Sequence, residues 1–379
     1  TTGVRNTLVG SGAGDSITTG NQNAVMGEGA GAALTDADYN VVVGRAALAT
    51  DTLGSRSTAI GTYALGTQNF TSATDNYNTA VGYAAGNQIT TGTANTLMGG
   101  LSGDSLNTGE SNVALGFSAL GADTKGNNNV AVGREALAAQ NFTTATDSLN
   151  VAVGYRAGYN VTTGIKNTII GGLAGDQLAD ADFNVAVGYG SLSTDDLGSK
   201  STAVGTFALE AQNYATATDS HNTAVGYIAG GAITTGVQNT IIGSLAGDAL
   251  TTGQENVALG YAALSGDDVG NHSTAIGWNA LISQNYATST DSNNTAVGWN
   301  VGSSISTGIQ NTLIGSHAGD ALTDADYNVA IGMQALTADT LGSRSTAMGF
   351  FALGSQNFTT ATDVYNTAVG YSAGSAVTT

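Results

Sequence analysis

The chain has 379 residues, 55 of them Gly, with no Pro and no Cys, and its 9 Lys+Arg stand against 28 Asp+Glu for a formal charge of −19. The absence of Cys excludes a disulfide framework, a thiol nucleophile and Cys-ligated metal, and Gly without Pro is not collagen. The charge opposes a nucleic-acid partner, and no apolar run reaches the roughly 20 residues of a membrane span, so no membrane insertion of this segment is expected.

The first element is Asn6-Thr7-Leu8-Val9-Gly10, and its pattern recurs to the end of the chain. The closing glycine returns at 27, 44, 61, 82, 99, 116, 133, 154, 171, 188, 205, 226, 243, 260, 277, 298, 315, 332, 349 and 370, which is 21 copies spaced 17, 17, 17 and 21. Each quartet therefore spans 72 residues. A longer period is superposed: Asp36-Ala37-Asp38 returns at Asp180 and Asp324, 144 residues apart each time. Both ends fall inside the repeat, so residues 1–379 read as one continuous array cut from a longer chain.

Within a copy, Thr79 and Val81 alternate with Asn78 and Ala80, the period of a strand. Glycine density forbids a helical repeat. Each unit reads as one coil of an all-β parallel solenoid: short strand, Gly turn, short strand, polar loop. Stacked at about 4.8 Å, such coils would build a rod on the order of 100 Å long. A backbone paired to coils on both sides also accounts for the missing Pro.

The residue before the glycine is always Val, Ile, Leu or Met and is expected to point inward as the core aliphatic: Val81, Met98, Leu115, Val132, Val153, Ile170, Val187 and Val204. Gly82, Gly99, Gly116, Gly133, Gly154, Gly171, Gly188 and Gly205 are the corresponding turn glycines. Three residues after the glycine stands Ala or Ser, with Val301 the exception, marking a second, tighter inward position. The Asn or Ser that opens each motif, as in Asn78, Asn95, Asn112, Asn129, Asn150, Asn167, Asn184 and Ser201, forms either a ladder along the axis or only a turn before the strand.

The four extra residues of every fourth coil fall in a loop that begins at Gln68, Gln140, Gln212, Gln284 and Gln356 and carries Phe70, Phe142, Tyr214, Tyr286 or Phe358. These are candidate contact loops for a glycan or receptor, or else aromatic plugs on their own coil. Asp75, Asp147, Asp219, Asp291 and Asp363 close the same loops, and Asp104, Asp176, Asp248 and Asp320 form a second series. Both suit polar turns; neither has the spacing of a known calcium loop. Tyr83, Tyr155, Tyr227, Trp278, Trp299 and Tyr371 follow the motif glycine and read as partly buried with the polar end wet, or else as lining an interface or a carbohydrate-binding stripe. Thr and Val exchange freely at the first strand position, which argues for burial there and against an ordered Thr grid for ice.

Asn78-Thr79-Ala80-Val81-Gly82-Tyr83-Ala84-Ala85 resembles the head repeat of YadA-type trimeric autotransporter adhesins, and is similar to shaft repeats of bacteriophage tail fibres that precede a self-cleaving chaperone domain. The resemblance implies a parallel β-roll that associates as a homotrimer and serves as an extracellular, cell-surface or virion appendage. The coils here are longer than that family's, and its usual pattern lacks the expansion in every fourth coil.

His221, His272 and His317 are the only His residues and none recurs at equivalent positions, so no triad, metal site or cofactor site is expected and no enzymatic activity. The expected function is that of a structural fibre shaft, self-associating as a trimer or filament. A glycan- or receptor-binding adhesin head is the alternative, and an ice- or calcium-binding solenoid a further one.

Overall fold

Each motif combines a turn-forming Asn or Ser with two or three β-branched or aliphatic residues, enough for a short strand and no more. In the computed structural model, which describes residues 2–379, all 21 motifs form three-residue strands, from Thr7–Val9 to Thr367–Val369. Among the described residues there is no helix, and so none long and apolar enough to cross a membrane. The fold is a parallel β-solenoid with one turn per motif.

The chain divides into two compact units, Thr1–Asn184 and Val185–Thr379, with ten and eleven motif strands respectively. Within each unit successive strands pair in parallel at the same register. In the first, Thr79, Ala80 and Val81 face Thr96, Leu97 and Met98. In the second, Thr223, Ala224 and Val225 face Thr240, Ile241 and Ile242.

The strand expected after each glycine is not formed. The chain turns instead through left-handed backbone, with φ of 53° at Ala84 and 59° at Gly86. Additional two-residue strands occur once per quartet, where Gly54–Ser55 pairs with Thr74–Asp75 at the base of the expanded loop. The turns are nonetheless hydrogen-bonded between coils. Ala84 N donates to Thr62 O at 2.9 Å, Gly86 N to Ser102 O at 2.9 Å and Gln88 N to Asp104 O at 3.0 Å. Pro would remove such a donor in a turn as surely as in a strand.

The motif glycine is required by two constraints at once. Gly99 has φ +139°, and a Cβ there would stand 2.5 Å from the Gly116 carbonyl oxygen of the next coil. An L side chain is therefore excluded by backbone conformation and by the stacking distance.

The core corrects one expectation. Val81, Met98, Leu115, Val132, Val153, Ile170, Val187 and Val204 do not point inward; each is half-buried or exposed, Met98 to 47%. The middle strand residue is the one that faces the core, as with the fully buried Ala80, Leu97, Ala114 and Ala131. Alternation along the strand was legible, but its phase is reversed, and a one-residue shift exchanges the two faces. The physical reason is the thin interior. Most coils accept only Ala at the strand centre and Ala85 or its equivalent after the turn, so the bulky aliphatic residue stays outside.

Larger side chains fill the remaining space in two ways. In the first and second coils of a quartet, Ile89 and Leu106 are fully buried and the position three residues earlier is Gly86 or Gly103. In the third and fourth coils Leu120 and Leu137 occupy that earlier position, fully buried, and Asp123 and Gln140 follow in place of Ile and Leu.

Candidate functional site

Outside the strands, each unit presents a two-column face. One column holds Thr79, Thr96, Val113 and their equivalents, half-buried or exposed rather than inward, so the Thr–Val exchange reflects a tolerant outer face and not burial. The other is the misassigned aliphatic column. Beside it, past the motif glycine, Tyr83, Tyr155, Tyr227, Trp278, Trp299 and Tyr371 are all exposed. Half-buried or exposed aliphatic side chains thus recur in every coil, with exposed aromatics beside some of them, where a solitary exposed Val would need no explanation.

The aromatic column is partly self-stacked. Trp278 lies on Trp299 with ring centroids 5.5 Å apart and planes 19° apart, Tyr261 extends the stack at 6.5 Å, and the His317 ring meets Trp299 edge-on at 4.5 Å. Phe350 and Tyr371 stack similarly at 5.2 Å. Ring faces meet one another within these stacks, while Tyr83, Tyr155 and Tyr227 lie outside them.

Of the two readings of the expanded loops, burial of the ring favours the plug. Phe70, Phe142, Tyr214 and Tyr286 are buried and Phe358 is half-buried, so these rings are plugs rather than contact residues; the loop tips at residues 71–73 are what face solvent. Tyr214 Oη donates to Gly236 O at 2.7 Å and Tyr286 Oη to Gly308 O at 2.8 Å. Burial pushes both phenols well above their ordinary range.

Behind each plug lies a buried polar cluster that the loop reading did not include. Asp51 is fully buried, and its Oδ1 accepts from Gly54 N at 3.0 Å and Phe70 N at 3.1 Å. Gln68 Nε2 donates to Asp51 Oδ2 at 2.6 Å and to Ser57 Oγ at 2.9 Å, while Gln68 Oε1 accepts from Asn78 Nδ2 at 2.9 Å. Gln140–Asp123, Gln212–Asp195, Gln284–Asp267 and Gln356–Asp339 repeat the bond, each at 2.6 Å. Burial pushes Asp51, Asp195 and Asp267 up from the ordinary carboxylate range, outweighing the Gln amide and backbone N–H groups that favour the anion. The signal was present in the sequence, since an Asp stands 17 residues before every loop Gln.

The opening Asn side chains bond along the axis. Asn95 N donates to Asn78 Oδ1 at 3.0 Å, and Asn112, Asn129, Asn150, Asn167 and Asn184 each use the preceding Asn in the same way at 2.9–3.1 Å. Where the motif opens with Ser57, Asn76 substitutes: Ser57 Oγ donates to Asn76 Oδ1 at 2.8 Å, and Asn78 N donates to that same oxygen at 3.0 Å. In the next quartet the two residue types are exchanged, with Ser148 Oγ donating to Asn129 Oδ1 at 2.8 Å.

The Asp residues that close the loops are engaged at the surface, whereas Asp248 of the second series has a buried Oδ1 without a partner. Arg56 Nε lies 2.9 Å from Asp75, Arg344 Nε lies 3.0 Å from Asp363, Lys200 pairs with Asp219, and Asp147 accepts from Asn127 and Asn128. His272 sits between Glu255, at 3.2 Å, and Asp291, at 3.4 Å. Partial burial raises Asp104, Asp176 and Asp248. Among the described residues there is no pocket and no group of three His, Cys, Asp or Glu side chains placed to hold a metal ion. His221, His272 and His317 lie in different coils. No family model matches the chain, and no curated protein sequence matches it.

Proposed function

We propose that this chain is a shaft segment of an extracellular or virion fibre, that it self-associates as a homotrimer through the outer face of its strands, and that it acts by stiffness and repeated display. The observation that carries the reading is the outward aliphatic column flanked by exposed aromatics. In each unit alone, three-residue strands about 10 Å long stacked at about 4.8 Å make a face of about 500 Å². That is within the range of about 300–600 Å² for the largest apolar patch of a typical monomer, a patch that is often functional. Inter-coil hydrogen bonds in strands and turns alike support stiffness, since within each unit the inner coils are held by both neighbours.

The test is the mass in solution. The 37.5 kDa chain is expected to sediment at three times its own mass and to form rods in electron micrographs. Replacing three successive outward residues, Val225→Asp, Ile242→Asp and Leu259→Asp, is expected to leave the β circular-dichroism signal intact and release monomers. A wild-type chain that stays monomeric at micromolar concentration and forms no rods refutes the reading. A second reading, ice binding, draws on the neighbouring column, where Thr79 and Thr96 are half-exposed rather than buried. Thermal hysteresis in the wild-type chain, lost when those Thr residues are replaced by Lys, would favour it.

A further inference from the structure

The buried Asp–Gln pair has a property that the strands lack: it distinguishes one coil from the next. Following the inner column up a quartet, the residues are Ile89, Leu106, Asp123 and Gln140, and the order then repeats. Gln140 Nε2 donates to Asp123 Oδ2 at 2.6 Å, Asp123 Oδ1 accepts from Gly126 N at 3.0 Å, and Gln140 Oε1 accepts from Asn150 Nδ2 at 2.9 Å. Both Asp123 and Gln140 are fully buried. The strands, by contrast, are nearly interchangeable: Val113, Ala114 and Leu115 face Val130, Ala131 and Val132, which in turn face Val151, Ala152 and Val153. A coil that skipped its neighbour would lose little from the strand ladder. It would place Gln140 against Leu106, or Asp123 against the Ile or Val of a first coil, with a buried polar group left unpaired. Only a displacement by a whole quartet restores each partner.

We propose that the Asp–Gln layer is a registry pin, which fixes the third and fourth coils of each quartet as neighbours and so forbids a slip of one coil across them. Buried polar groups select between alternatives by penalising the wrong ones, while adding little to the stability of the right one. The proposal concerns folding register alone and is independent of the fibre reading.

Three internal deletions in the first unit test it. Removing residues 83–154 takes out one quartet and joins Gly82 to Tyr155. Removing residues 100–116 takes out a second coil with Leu106 and spares the Asp123–Gln140 pair. Removing residues 117–133 is equal in length but takes Asp123 away and leaves Gln140 facing Leu106. Amide hydrogen exchange in the strands flanking each junction is the readout. The first two variants are expected to keep wild-type protection. The third is expected to lose protection by roughly 5- to 150-fold, and to regain most of it when Gln140→Met removes the orphaned amide. Equal protection in the two single-coil deletions, whether both retained or both lost, overturns the proposal. So does a loss in the third variant that Gln140→Met fails to restore.

Discussion

In the first and second coils of a quartet the interior is filled from beyond a glycine, and in the third and fourth it is filled by a leucine standing where that glycine was. Gly86 makes this concrete: a Cβ there would lie 2.7 Å from Leu97 Cδ1 and 3.1 Å from Ile89 Cδ1, in space those side chains already occupy. Leu120 and Leu137 take the opposite solution, with φ of 53° and 49° in left-handed backbone that costs an L residue about 1–2 kcal/mol. Because Leu then fills the interior, the site three residues on is free for Asp123 or Gln140. The lesson is that one coil backbone accepts two different cores, and that the polar one requires a strained leucine beside it.

Breaking the apolar core should have the largest effect. Leu250→Ala truncates a fully buried side chain in a second coil and is expected to cost about 2–5 kcal/mol, read by hydrogen exchange in the adjacent strands. Leu264→Gly in the following third coil should cost about 1 kcal/mol less than an equivalent truncation without backbone relief, because φ is 56° there. If the two losses are equal, left-handed strain is not part of the difference between the layers.

Next in size is the polar cluster. Asp267→Ala leaves Gly270 N without its acceptor and Gln284 Nε2 with Ser273 Oγ alone, and is expected to cost about 1–3 kcal/mol, read in the same assay. Smaller again is Tyr214→Phe, which removes the bond to Gly236 O and should cost about 0.5–1.5 kcal/mol. Phe142 already stands at the equivalent position, so the ring itself needs no hydroxyl.

The smallest effect is the pH dependence. Asp267 titrates above its ordinary 3.8 because burial disfavours its anion, so the folded chain binds the proton more readily than the unfolded one. Its contribution to stability therefore rises as pH falls through the raised value and is complete below about 3.8. Urea midpoints taken from neutral pH to pH 3.5 should show wild type gaining on Asp267→Asn as the acid range is entered. A difference that shrinks or stays flat would mean the carboxylate is not held up by burial.

Much of this was written in the chain. The spacing of the motif glycines determined the coils, their number and the quartet, and the positive φ of those glycines follows from the turn they close. The loop aromatics are a middle case: their position was plain, but whether Phe70 faces water or its own coil depends on what stands behind it. Asp51 shows why part of the site is not legible in the sequence. An isolated Asp in a polar sequence reads as a solvated turn, and only the folded coil places Gln68, Gly54 and Phe70 around it.

Periodicity, the place of the motif strand and the exclusion of Pro are legible in the chain, because these follow from local geometry and from repeated hydrogen bonding; the strand expected after the glycine is a turn. The tertiary structure alone decided which side of each strand is inside. Alternation is symmetric, and either Ala80 or Val81 could have faced the core. The thin interior admits Ala80 and turns Val81 out, which converts an expected core into a half-buried or exposed face.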